Sequence, residues 1–147
     1  CKMKWFTKNN KKNSIQSPED MTPLQAVTHL CACIQLSDGD ADFEERKAWL
    51  NAISTLFPSY SEERADKFLF EAHAYLKRST KEDYLFYTEK VLSRIKAILN
   101  EDQIKQLGPK LKALIEADGI VMTAEMEIAN LIEQYLSIQI DIDQNLY

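Results

Sequence analysis

Leu36-Ser37-Asp38-Gly39-Asp40-Ala41-Asp42-Phe43-Glu44-Glu45 is the stretch on which the reading of the whole chain turns. Glycine takes the left-handed position that closes a helix without steric cost, so Asp38-Gly39 reads as a helix end. Asp42, with Glu45 three residues on, reads as the cap and capping-box acid of the next helix. Upstream, Thr22-Pro23-Leu24-Gln25 combines a capping hydroxyl, a proline at the first helical position and a Gln three residues later. Leu24, Val27, Leu30, Cys31 and Ile34 then recur at three- and four-residue steps, predicting a helix with one apolar face to about Leu36. Downstream, Trp49, Ala52, Ile53, Leu56 and Phe57 form the stripe of a second helix, stopped by Pro58.

The pattern returns in the other half of the chain as Glu116-Ala117-Asp118-Gly119-Ile120-Val121-Met122-Thr123-Ala124-Glu125. In both copies a helix ends on Asp-Gly, and an acid opens the next helix seven positions after that Asp. Two of the three glycines occupy these equivalent points. Each half is therefore expected to contribute one helical hairpin to a shared core.

The intervening segments are also helical in pattern. Ser61 opens a third helix with Ala65, Phe68, Leu69, Ala72, Tyr75 and Leu76 inward. Thr80-Lys81-Glu82-Asp83 opens a fourth, running to Leu99. Its apolar positions Tyr84, Phe86, Tyr87, Val91, Leu92, Ile95 and Ile98 exceed one narrow face, which predicts the central helix of the fold. Asn100 caps a further segment whose Ile104, Leu107, Leu111, Leu114 and Ile115 keep the period across Gly108-Pro109; the proline predicts two short helices or one kinked helix. The last helix starts near Thr123 and carries Ile128, Leu131, Ile132, Tyr135 and Leu136. Beyond it Ile138, Ile140 and Ile142 alternate with polar residues, a pattern that suits a short extended tail packed on the bundle.

Composition agrees. Three Gly and four Pro in 147 residues are too few for a strand-and-turn architecture, and 45% hydrophobic residues supply a core. The longest apolar run, Leu30 to Ile34, is far too short to span a bilayer. The expectation is an all-α bundle of about six to seven helices with two pseudo-symmetric halves. It comprises a flexible basic tail over 1–16, a helical domain over 17–137 and a C-terminal tail over 138–147.

Charge is unevenly spread. Lys2, Lys4, Lys8, Lys11 and Lys12 make residues 1–13 purely basic, whereas the whole chain carries a formal charge of −5. An acidic body repels phosphates and disfavours nucleic acid, while favouring cations or basic partners. The basic head, which contains Trp5 and Phe6, reads as a solvated lead-in, with contact to an anionic membrane surface or nucleic acid as the alternative. Cys1, Cys31 and Cys33 are odd in number and irregular in spacing, which fits a reducing, cytoplasmic compartment. Met3-Lys4-Trp5-Phe6 reads as a translation start; Cys1 as the lipid-bearing residue of a processed lipoprotein is the alternative, and places the domain outside the cytoplasm.

Chemistry concentrates in the first Asp-Gly turn. Asp38, Asp40, Asp42 and Glu45 place four carboxylates within eight residues, and hard cations seek six to eight oxygens. The D-x-D-x-D start invites comparison with an EF-hand, which fails because Phe43 and Trp49 stand where the loop needs Gly and an acid. Helix capping accounts for Asp42 and Glu45 without any ion, so both readings stay open. The second turn is poorer in acids: Asp118 and Glu125 remain, with Glu127 nearby, while Ile120 and Met122 replace acids of the first. The candidate site for a divalent cation (Ca²⁺, Mg²⁺ or Zn²⁺) is thus Asp38, Asp40, Asp42, Glu45, Asp118 and Glu125.

No other constellation carries chemistry. His29 and Cys33, four apart, could be half of a zinc site, but no further Cys/His cluster completes it and packing is the simpler role. His73 has no evident partner in sequence, and Phe68, Tyr75, Tyr84, Phe86 and Tyr87 read as core aromatics. There is no Gly-rich phosphate loop, G-x-S-x-G elbow or H-E-x-x-H helix, so an enzyme and an organic cofactor are not expected.

The duplicated turn resembles the signature of the TerB family of tellurite-resistance helical proteins. The resemblance rests on Ser37-Asp38-Gly39-Asp40-Ala41-Asp42 with Glu45 and on Ala117-Asp118-Gly119 with Glu125, and covers about residues 20–137. It implies an all-α bundle with pseudo-twofold halves and an acidic cluster, proposed to bind divalent cations, built from both turns. It also implies a non-enzymatic role in a bacterial stress response, some members acting at the inner membrane beside integral membrane protein partners. A metal-free helical interaction module is the alternative expectation.

Overall fold

The structure, a computed structural model, describes residues 17–35, 43–116 and 123–140. Among them are six α-helices and one 3-10 turn, Pro18–Asp20, and no strand. The helices are α1 (Pro23–Gln35), α2 (Phe43–Leu56), α3 (Glu62–Leu76), α4 (Lys81–Ile98), α5 (Glu101–Ile115) and α6 (Thr123–Leu136). The protein is an all-α helical bundle. None of these helices is long and apolar enough to cross a membrane.

Caps start the helices where the sequence asks for them. The Thr22 hydroxyl accepts the Gln25 N–H at 3.2 Å, and its carbonyl accepts that of Ala26 at 2.9 Å. Ser61 and Thr80 accept the N–H groups of Arg64 and Asp83 in the same way. Asn100 and Gln103 form a reciprocal capping box, with bonds of 2.8 and 3.0 Å. Each cap satisfies a donor that the first turn of a helix would otherwise leave unpaired.

The hub of the bundle is α1, where the sequence pattern points to α4. Every residue from Gln25 to Gln35 is buried, and α1 packs on all five other helices, most closely on α3 and α4. In α4 the buried set is Tyr87, Thr88, Val91, Leu92 and Ile95, while Phe86, read as core, is 58% exposed. The reason is size as much as polarity. Ala26, Thr28, Cys31, Ala32 and Cys33 are small, so neighbours approach α1 on every side. The breadth of the apolar spread around a helix selects the wrong one here.

Around α1, α2 packs chiefly on α5 and α6 chiefly on α4, and the 3-10 turn also rests on α4. Arg94 Nε ties that turn down by donating to the Met21 carbonyl at 2.9 Å. Trp49, Leu107, Leu111, Leu114 and Ile132 are fully enclosed, each such side chain stabilising by about 1.5–3 kcal/mol relative to exposure. α5 is one continuous helix with Pro109 inside it, not two short ones. Pro109 is exposed, so the carbonyl its ring leaves unbonded faces the watered side of the helix.

After α6 the chain turns at Ser137, whose φ of 57° is left-handed. The turn brings Ile138 over α5, where its Cδ1 lies 3.3 Å from the position a Cβ on Gly108 would take. Ile140 is buried, and its N–H donates to the Glu133 carboxylate at 2.7 Å. Ile138 and Ile140 therefore pack on the bundle as their alternation suggests, and Ile142 lies outside the described residues.

Candidate functional site

Of the six carboxylates expected to form a cation site, Asp38, Asp40, Asp42 and Asp118 lie outside the described residues, as does the side chain of Glu45 in α2. Glu125 is described. It is the third residue of α6 and is fully buried. An acid in the first helical turn suits the helix dipole, but taking a carboxylate wholly out of water is costly unless partners surround it. Its nearest acidic neighbour in sequence, Glu127, is half-buried and pairs with Lys81 of α4 at 3.3 Å. Among the described residues no group of three or more His, Cys, Asp or Glu side chains could hold a metal ion.

A second polar constellation lies along α1, where the sequence shows only a lone histidine and two thiols. His29 is fully buried, and its Nδ1 shares a hydrogen bond of 2.5 Å with the Tyr87 hydroxyl of α4. The Tyr87 ring packs on Tyr75 of α3, with centroids 4.9 Å apart and planes tilted by 44°. One turn later in α1, the Cys33 carbonyl accepts the Tyr84 hydroxyl, and the Thr88 hydroxyl donates to the Tyr84 carbonyl at 2.9 Å. At the end of α1, Gln35 Oε1 accepts from His73 Nε2 at 3.2 Å. His73, without a partner in sequence, thus has one in space.

The electrostatics of this row argue against reactivity. Burial lowers the His29 pKa to about 4, so the ring is neutral at pH 7. Burial likewise raises the Cys33 thiol to about 12, and pushes Cys31 and Tyr87 well above their ordinary ranges. Thiols so held are not nucleophiles. The half-zinc pattern of His29 and Cys33 resolves as packing, the imidazole being engaged by Tyr87. What the row can do is mechanical: it fixes α1 against α3 and α4 through polar contacts that only one register satisfies.

Sequence reading missed Tyr87 as the partner of His29 because 58 residues separate them. A histidine on a helix buried all round requires a hydrogen-bonding partner. That requirement identifies the need, not the residue.

Among the described residues, two large apolar side chains remain exposed: Phe70 of α3 is 73% exposed and Phe86 of α4 58%. Lys90 Nζ sits 4.8 Å from the centroid of the Phe86 ring. In comparisons with known proteins, no family model, curated protein or solved structure matches the chain.

Proposed function

We propose that the protein is a non-enzymatic, TerB-like adaptor module whose two Asp-Gly turns together hold a divalent cation, acting in a bacterial stress response of the tellurite-resistance kind. The observation that carries this reading is the full burial of the Glu125 carboxylate on the first turn of the helix that follows the second Asp-Gly turn. A buried carboxyl oxygen suits a hard cation and would stand at the wall of the site. Asp38, Asp40, Asp42 and Glu45 would bring the remaining charge from the first turn, and Asp118 from the second. A bound ion would cross-link the two hairpins and make their geometry depend on metal concentration, which is a way for a binding module to report a cation.

The test is thermal unfolding with and without Ca²⁺, Mg²⁺ or Zn²⁺. An ion held by the folded state alone stabilises by about 2.7 kcal/mol at a hundredfold excess over its Kd, so the melting temperature rises with concentration. The Asp38→Asn plus Asp118→Asn double variant loses that rise. No shift in the wild type, or an equal shift in the double variant, overturns the reading.

The exposed Phe70 and Phe86 favour a second reading, a metal-free helical module that docks a protein partner through α3 and α4. Partner capture that survives chelator and is lost in a Phe70→Ser plus Phe86→Ser variant would favour it over the cation-dependent one.

A further inference from the structure

His29 stands at the middle of the helix that every other helix touches, and it is the one fully buried histidine among the described residues. Its Nδ1 is engaged by the Tyr87 hydroxyl, and its Nε2 has no hydrogen-bond partner among the described residues. A neutral imidazole has one donor and one acceptor, so with Nδ1 engaged it leaves a single uncharged function unpaired. An imidazolium would carry two donors and a full charge into the same enclosure.

The surroundings offer little to offset that charge. α2 turns Trp49, Ala52, Ile53 and Leu56 to the core, and α5 turns Ile104, Leu107, Gly108, Leu111, Leu114 and Ile115, none of them ionisable. α3 contributes apolar residues together with half-buried Glu71, His73 and Tyr75; His73 bonds to Gln35, and Tyr75 packs on Tyr87. α4 presents Tyr87 and Thr88, and α1 itself Cys31 and Cys33, whose protons burial holds in place. α6 adds the buried Glu125 carboxylate to the core. Burial is the sole cause that sets the proton affinity of His29, with no neighbouring charge raising it.

We propose that the His29–Tyr87 pair is an acid-sensitive latch, holding α1 to α4 only while the imidazole is neutral, so that acidification loosens this seam. The sign follows from linkage. A base that binds its proton less readily when folded contributes stability that is complete above its unfolded value near 6.5 and lost as pH falls toward about 4.

The experiment measures unfolding of the full chain at pH 7.5 and 5.0 for wild type, His29→Gln and His29→Phe, none of the replacements being titratable. The unfolding constant of the wild type should rise at pH 5.0 by on the order of tenfold more than that of either variant, and amide exchange should quicken first in α1 and α4. Parallel pH dependence in wild type and variants overturns the latch. If neither variant folds, the NMR titration of the His29 ring in the wild type decides. A ring still neutral at pH 5.5 supports the proposal, and one that protonates near pH 6.5 overturns it.

Discussion

α1 and α5 are the two helices that lead into the Asp-Gly turns, and the likeness of those turns suggests equal roles. Their settings differ. α1 is enclosed on every side from Gln25 to Gln35, polar residues included. α5 buries one stripe, Ile104, Leu107, Gly108, Leu111, Leu114 and Ile115, and gives water the rest. The difference teaches that a repeated sequence motif does not set how deep the helix before it lies. Depth follows from the side chains. α1 has small residues that admit neighbours from all sides, and the side chains of Thr28, His29 and Gln35 find hydrogen-bond partners there. α5 has an ordinary amphipathic stripe and an exposed proline.

The sharpest way to break this comparison is to place a charge on each helix. Ala32→Asp puts an unpaired carboxylate at a fully buried position of α1 and should prevent folding at 37 °C, a loss of about 4 kcal/mol or more. Lys105→Asp, on the exposed side of α5, should stay within about 0.5 kcal/mol of wild type by denaturant titration. Equal effects would remove the distinction between hub and covering helix.

A smaller effect, of opposite sign, comes from Pro109. Replacing it with Ala restores a helix N–H and relieves the clash with the preceding turn, so Pro109→Ala should stabilise the fold by about 1–3 kcal/mol, seen as a higher melting temperature. A neutral or destabilising result would mean that the proline serves the packing of α5. The smallest contrast lies in the caps. Asn100→Ala removes the 2.8 Å side-chain bond of a capping box, while the backbone N–H of that position still reaches Gln103, and should cost about 1 kcal/mol, whereas Thr22→Ala breaks one longer bond and should cost about half as much.

Much of the fold was legible in the chain, for local reasons. Thr22, Ser61, Thr80 and Asn100 act on donors three residues away, so their effect appears in any short window of sequence. The stripe from Leu107 to Ile115 is equally plain, because one face of α5 meets protein and the other water. The central helix was not legible, since the apolar positions of α4 spread round more than one face and so suggest contact on several sides, whereas it is the small residues of α1 that admit neighbours all round. Phe86 illustrates the error: its spacing fits a core stripe, yet its ring stays on the solvent side of α4. Of the candidate cation site, sequence offered the oxygens and their order. Glu125 gained the attribute that matters, burial, only when α6 was laid on its neighbours.

By itself, then, the sequence determined that the described residues are helical and where α1, α3, α4 and α5 begin, because caps and periods act through bonds only a few residues long. Tertiary packing decided that α1 is the hub, that His29 meets Tyr87, and that Glu125 is cut off from water. Those outcomes depend on the shapes of surfaces far apart in the chain, and burial belongs to no residue until its neighbours have closed around it.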